Sequence, residues 1–281
     1  MLTIKAPAKL NLTLEVLSKR PDGYHEMRSV LQTIALYDIL SFQAARKVNI
    51  EADRPSWSAA ESLVSKAVRL VQEAARRSAG VDIKIEKRIP MMAGLGGDSS
   101  DAAAALRGLN ELWALNLSRG RLLEMAALLG SDVAFFLRGG TALAAGRGEK
   151  LTPLPSPVSM WSVLVVPEVP GAAGKTGRMY AALGPAHFTG GTMTDSFVKF
   201  LKKDKEISAA RLFNTFENVA FDLVPELKVL KGHFTKLGAQ DIHLAGSGPA
   251  LFTLLEDKAQ AEDLYTRCQQ QGLETYLAET L

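Results

Sequence analysis

Residues 93–100 read Ala-Gly-Leu-Gly-Gly-Asp-Ser-Ser, and what flanks them limits what the chain can build around them. Val81, Ile83 and Ile85 alternate with Asp82, Lys84 and Glu86, the period of a β-strand, which runs on through Lys87, Arg88 and Pro90. On the far side, Asp101 to Leu115 is alanine- and leucine-rich and is interrupted only by Gly108, so it reads as a helix. In a strand–glycine loop–helix order, backbone N–H groups point into one concavity and the helix adds its positive end, so the natural occupant is a phosphate. A lone glycine pair would mark no more than a tight turn. Three glycines followed by Ser99 and Ser100 favour phosphate.

Better-known nucleotide motifs do not fit. Gly174-Lys175-Thr176 has the ending of a Walker A loop, but Val169 stands where its first glycine must be. A dinucleotide fingerprint starting at Gly94 and Gly96 would need glycine at Ser99. A nucleophile elbow around Ser247 would need glycines at Ala245 and Pro249.

Elsewhere, Leu10, Leu12, Leu14 and Val16 alternate with Lys9, Asn11, Thr13 and Glu15, which predicts a half-buried strand with Lys9 and Asn11 on its polar face. Pro21-Asp22-Gly23 supplies a turn, and an apolar run from Val30 to Leu36 follows. Ser58 and Glu61 read as a capping box for a helix over 59–78. Ser118 caps a further helix ending at Gly130, and Ser131-Asp132-Val133 opens a segment that precedes a strand at Gly139. Three prolines within residues 152–157 mark the passage to a second domain, giving domains 1–152 and 153–281. The second half reads as a strand at Trp161 to Val166, helices between Lys175 and Leu237, a turn at Ala245 to Pro249, a strand at Leu251 to Leu255, and a closing helix and strand. The pattern is α+β. With 281 residues, 47% hydrophobic and 22% charged, the chain has the composition of a folded protein of about two domains. The net charge of +3 includes no basic block, which argues against nucleic acid, and no apolar run is long enough to span a membrane. Cys268 is the only cysteine, in a polar run that reads as a solvated helix, as expected of a cytoplasmic protein. His187, His233 and His243 lack metal-ligand spacing.

Phosphoryl transfer needs a cation to stabilise migrating charge and a carboxylate near the accepting hydroxyl. Lys9 and Asp132 are the candidates, each with a plainer reading: a surface lysine and a helix cap.

Three segments together resemble the GHMP kinase superfamily: Pro7-Ala8-Lys9-Leu10-Asn11-Leu12, Pro90 to Ser100 with its helix, and Gly246-Ser247-Gly248-Pro249. Arg20-Pro21-Asp22-Gly23-Tyr24-His25, Gly130 to Val133, Asn214-Thr215-Phe216-Glu217 and Pro225 to Leu227 narrow the resemblance to the members acting on a cytidylyl diphosphate methylerythritol. It implies a two-domain fold, with an N-terminal ATP-binding domain containing a left-handed βαβ unit and a ferredoxin-like α/β sandwich at the C-terminus, ligands meeting in the cleft. It also implies transfer of the ATP γ-phosphate to the 2-hydroxyl of 4-diphosphocytidyl-2-C-methyl-D-erythritol, a step of the non-mevalonate route to isoprenoid precursors, by a monomer or weak homodimer. By motif, Asp132 accepts or orients the hydroxyl proton, and Lys9 pairs with it and steadies the attacking oxygen. Lys87, Pro90, Met91, Met92, Ala93, Gly94, Leu95, Gly96, Gly97, Asp98, Ser99 and Ser100 hold ATP, with Ser100 near Mg²⁺. Asn11, Tyr24, His25, Thr176 and Tyr180 bind the substrate, the cytosine sandwiched between His25 and Tyr180.

Two departures from the family pattern stand out. Asp98 replaces a third consecutive glycine, and either helps hold Mg²⁺ or faces outward. Ser62 replaces an asparagine that contacts adenine. Homoserine and mevalonate kinases differ in lacking the Asp-Gly-Tyr-His turn. A non-catalytic nucleotide-binding protein would not need both Lys9 and Asp132.

Overall fold

A computed structural model describes residues 1–76, 79–168 and 174–281. The chain forms two compact units, one of residues 1–8, 37–91 and 96–139, the other of residues 9–36, 92–95 and 140–281. Strands β1 (Leu2–Lys19) and β2 (His25–Ala45) contribute to both. Among the described residues no helix is long and apolar enough to cross a membrane.

In the first unit, residues 39–45 of β2 pair antiparallel with β4 (Gly80–Glu86), and β3 (Val48–Ala52) lies parallel to β4. Four helices pack together: α1 (Leu63–Ala75), α2 (Gly97–Leu112), α3 (Arg119–Leu129) and α4 (Val133–Arg138). The predicted cap of α1 shifts by a turn. Residues 59–61 form a separate 3₁₀ turn that Ser58 does not cap, and the Ser62 hydroxyl accepts from Ser65 N at 3.2 Å instead. Residues 77–78, the end of the predicted helix, lie outside the described residues. Residues 133–138, the segment opened by Ser131-Asp132-Val133, form α4, and Gly139 and Gly140, both at positive φ, join it to β5 (Thr141–Gly146).

In the second unit, residues 27–32 of β2 pair with β5, β5 pairs with β6 (Lys150–Pro153), and Thr13–Leu14 of β1 lie parallel to β8 (Phe213–Asn214). A second sheet runs in the order β11 (Glu274–Glu279), β7 (Trp161–Val166), β10 (Leu251–Leu255), β9 (His243–Leu244). Helices α5 (Lys175–Ala182), α6 (Thr192–Asp204), α7 (Glu217–Leu223), α8 (Glu226–Lys236) and α9 (Lys258–Gln270) complete it.

Two expected polar faces turn out to be buried. On β1, Lys9, Asn11, Thr13 and Glu15 are all covered. Several of their polar atoms find partners inside: Glu15 Oε2 accepts from Thr194 N at 2.7 Å, and Thr13 Oγ1 accepts from Val30 N at 3.0 Å. Cys268 shares the buried face of α9 with Ala261 and Leu264, because positions three, four and seven apart align on a helix.

The loop after β4 is anchored by a buried charge cluster in the first unit. Lys87 Nζ lies 2.5 Å from Asp38 Oδ2 and 2.7 Å from Asp101 Oδ2, and all three residues are buried. Asp38 Oδ1 also accepts from Arg88 N at 2.6 Å and Ile89 N at 2.8 Å. Burial opposes the charge on Lys87, but the two carboxylates outweigh it and raise its pKa. Burial pushes Asp101 up to about 8 against the attraction of Lys87, with Asp38 adding repulsion. In α2, Gly108 faces Phe42, whose ring would lie 2.6 Å from an added Cβ.

Gly108→Ala will destabilise the protein by up to about 2 kcal/mol by its urea midpoint. The overpacking cost of about 1–3 kcal/mol against a fully buried ring exceeds the gain of about 1 kcal/mol from helix propensity. Asp38→Ala, which strands a buried ammonium and two N–H groups, will cost about 3–5 kcal/mol, and Asp101→Asn far less. Asp101 binds its proton more tightly folded than unfolded, a stabilisation present below the ordinary carboxylate pKa and lost as pH rises towards about 8. Asp101→Asn will therefore gain stability relative to wild type between pH 5 and 8.

Candidate active site

The first unit carries the loop's two ends. Gly96, in the left-handed region at φ 76°, precedes α2, and Ser100 N donates to Gly96 O at 2.9 Å. The Ser100 hydroxyl is buried and has no hydrogen-bond partner, an arrangement costly enough to point to a ligand. Pro90, Met91, Gly97 and Ser99 are partly covered, whereas Asp98 is exposed. Lys87 lies behind the loop, within the Asp38–Asp101 cluster and close to Gly97. Ser62 is occupied as a helix cap and also donates to Ala59 O at 2.9 Å. Asp132 precedes α4 in right-handed helical backbone, half-buried, and its side chain does not cap the helix. The plainer reading of this carboxylate as an ordinary cap therefore fails.

The second unit gathers the rest. Met92 to Leu95 pack against the turn at 245–249: Lys9 N donates to Leu95 O at 2.9 Å and Ala250 N to Ala93 O at 3.3 Å. Gly94 comes so close that a Cβ there would stand 1.9 Å from Ala245 O, and at φ 86° it occupies a conformation glycine alone takes easily. Beside this contact, Lys9 Nζ donates to Asn11 Oδ1 at 2.5 Å, Asn11 Nδ2 to Ser29 Oγ at 2.7 Å, and Ser29 Oγ to Thr13 O at 2.6 Å. That relay fixes the orientation of the Asn11 amide. A Cβ on Gly246 would lie 3.1 Å from Lys9 Nζ and 3.2 Å from Asn11 Oδ1, so the glycine leaves room over both.

An aromatic group lies in the same unit. The His25 and Tyr180 rings stack with centroids 4.8 Å apart and 21° between planes. Phe216 meets Tyr180 edge-on at 4.8 Å and Phe188 meets His25 at 6.0 Å. Burial, with the charge of Lys19, lowers the His25 pKa, so the imidazole is uncharged at neutral pH. Asp22 Oδ1 accepts from Tyr24 N at 3.1 Å and sets the turn, and the exposed Tyr24 ring lies under the Arg147 guanidinium at 4.6 Å. Thr176 Oγ1 and Ser247 Oγ are 2.9 Å apart.

The structure gives roles to residues that the sequence reading left without one. Asn214 donates to Leu244 O and Gly246 O, both at 2.8 Å, and Glu217 accepts from Leu244 N at 2.9 Å, so the Asn-Thr-Phe-Glu motif holds the glycine turn. Asp38, which lies past the apolar run of Val30 to Leu36, accepts from Lys87 and from two backbone N–H groups. Lys175, set aside as a false Walker ending, donates to Met92 O at 2.6 Å and also to Gly248 O.

Residues 62–140 match the model of the GHMP kinases N terminal domain, and residues 197–273 that of the GHMP kinases C terminal domain. A 4-diphosphocytidyl-2-C-methyl-D-erythritol kinase of Dehalococcoides mccartyi is 50% identical over 281 residues, covering 100% of this chain and 99% of the relative. A crystal structure of a 4-(cytidine 5'-diphospho)-2C-methyl-D-erythritol kinase superposes with a TM-score of 0.83 at 33% identity, covering 99% of each chain. A homoserine kinase from Cytophaga hutchinsonii, at 18% identity and a TM-score of 0.74 over 100% of this chain and 94% of its own, shares the fold. The chain thus belongs to the GHMP kinases, and among them to the 4-diphosphocytidyl-2-C-methyl-D-erythritol kinase family.

Proposed function

We propose that this protein transfers the γ-phosphate of ATP to the 2-hydroxyl of 4-diphosphocytidyl-2-C-methyl-D-erythritol, releasing ADP and the 2-phosphate, in the non-mevalonate route to isoprenoid precursors. The observation that carries this reading is the 50% identity, end to end, with a kinase of that name. The site supports it. Residues 90–100, with Lys87 fixing the start of the loop, hold the ATP phosphates through main-chain N–H groups.

In the reaction the substrate hydroxyl oxygen forms a bond to the γ-phosphorus, the bond from that phosphorus to the β,γ-bridging oxygen breaks, and ADP leaves with its electron pair. Asp132 accepts or orients the hydroxyl proton. Lys9, held by Asn11, stabilises charge growing on the attacking oxygen. Asn11 keeps one Nδ2 hydrogen and one Oδ1 lone pair for the substrate. Tyr24, His25, Thr176 and Tyr180 hold the cytidine end, where an uncharged imidazole suits stacking on a pyrimidine. Mg²⁺ belongs to the same proposal. Among the described residues no cage of three acidic, histidine or cysteine side chains forms, but the unpartnered Ser100 hydroxyl suits a cation that takes few protein ligands. Bound with ATP, such an ion neutralises charge on the transferring phosphoryl group.

We divide the chain into an ATP-binding segment, 1–152, and a C-terminal segment, 153–281; the regions matching the two domain models fall one on each side. The lone thiol of Cys268 accords with a reducing compartment, and we place the enzyme in the cytoplasm as a monomer or weak homodimer.

With Mg-ATP, purified protein will release ADP when given the cytidylyl substrate and not when given mevalonate or homoserine; release with either of those instead would overturn the assignment. Asp132→Asn will lower kcat by about 10²- to 10⁴-fold with the KM for ATP within about twofold. His25→Ala will raise the KM for the cytidylyl substrate by about tenfold, the loss of one stacked face, and leave that for ATP unchanged.

A further inference from the structure

Helix α5 begins with Lys175, a cation with no evident structural need for its charge. Its ammonium donates to the Met92 and Gly248 carbonyls, which come from the phosphate loop and from the glycine turn. Both acceptors are neutral. Among the described residues no carboxylate pairs with Lys175, and burial alone lowers its pKa to about 8. A partly buried ammonium without a counter-ion is unfavourable, and a hydrophilic neutral side chain could make the same two hydrogen bonds at less desolvation cost. The positive charge is explained if an anion belongs beside it.

The helix itself indicates which anion. Thr176, next to Lys175, meets Ser247 through their hydroxyls at 2.9 Å, and Tyr180 stacks on His25. Lys175 opens the helix that carries Tyr180 five positions on, about 7.5 Å further along its axis. One ammonium hydrogen remains after the two carbonyls are served.

We infer that Lys175 is a specificity-determining residue that donates its remaining N–H to the 5′-diphosphate of the cytidylyl substrate while tying the Met92 and Gly248 carbonyls together. The inference rests on the proposed substrate reading, but its test needs no turnover. Failure of the kinase assay and failure of this assignment are therefore separable.

The test is calorimetric titration of the full chain with cytidine, with cytidine 5′-diphosphate and with a non-hydrolysable ATP analogue, for wild type, Lys175→Met and Lys175→Arg. Lys175→Met should weaken cytidine diphosphate binding by about tenfold, the worth of one charge-assisted hydrogen bond, with cytidine and the ATP analogue within about twofold. Lys175→Arg should recover most of the loss. In wild type, the ratio of cytidine diphosphate to cytidine affinity should fall between pH 7 and 9.5 as Lys175 loses its proton, and in Lys175→Met it should be flat. His25 cancels from that ratio because both ligands carry the base. The wild-type profile also supplies a readout should Lys175→Met fail to fold, and a flat wild-type profile would overturn the inference. Equal losses for cytidine and its diphosphate would reduce Lys175 to a structural tie. A loss confined to the ATP analogue would assign it to the other nucleotide. Either result, or no change at all, would overturn the proposal.

Discussion

Lys87, buried between Asp38 and Asp101, is the contact on which the order of the first unit around the start of α2 depends. It ties the end of β4 to the first turns of α2, so both ends of the intervening loop are fixed before any ligand is considered. Asp38 extends the hold by accepting from two consecutive backbone N–H groups, which stiffens the loop where it leaves the strand. On the proposed reading the loop presents its own N–H groups to an anion and cannot also satisfy them internally. Its order has to come from outside the binding surface, and a hydrogen-bonded charge cluster supplies it at a depth where water does not compete.

The second unit solves a similar problem with backbone contact. Gly94 and the 245–249 turn approach so closely that no side chain fits between them, and Asn214 clamps the turn from behind through two carbonyls. Lys9 and Asn11 lie next to this contact on a strand covered on both faces. Their orientation is set by a relay of hydrogen bonds running to Ser29 and the Thr13 carbonyl. The polar groups assigned to chemistry thus sit on regular, buried structure, which holds them more closely than an exposed loop would.

Local pattern made much of this visible. The alternating strand at Gly80–Glu86 and the Ser118 cap are written within a few residues of one another and appear where the pattern puts them, whereas the glycine loop is shorter than it reads, because Gly97 to Ser100 already form the first turn of α2, which ends at Leu112 and not Leu115. What escaped depends on contacts distant in sequence. Alternation in β1 shows which residues share a face but not that Thr194, 179 positions after Glu15, covers the polar one. Ser58 and Ser62 are both plausible caps, and an intervening 3₁₀ turn decides between them. Cys268 looked solvated because its sequence neighbours are polar, although a helix sorts neighbours to opposite faces. Lys175 carried a signal in its Gly-Lys-Thr setting, but that motif pointed to the wrong loop; only its reach to Met92 and Gly248 shows its place.

The His25–Tyr180 stack bears on how a pyrimidine is recognised. In the proposed sandwich, a base entering between the two rings would stack on one face of each. Stacking there rewards flatness and does little to tell cytosine from uracil, whose ring shapes are nearly the same. Discrimination between them therefore falls to the edge of the base, to whichever backbone donors and acceptors line the rim of the aromatic slot.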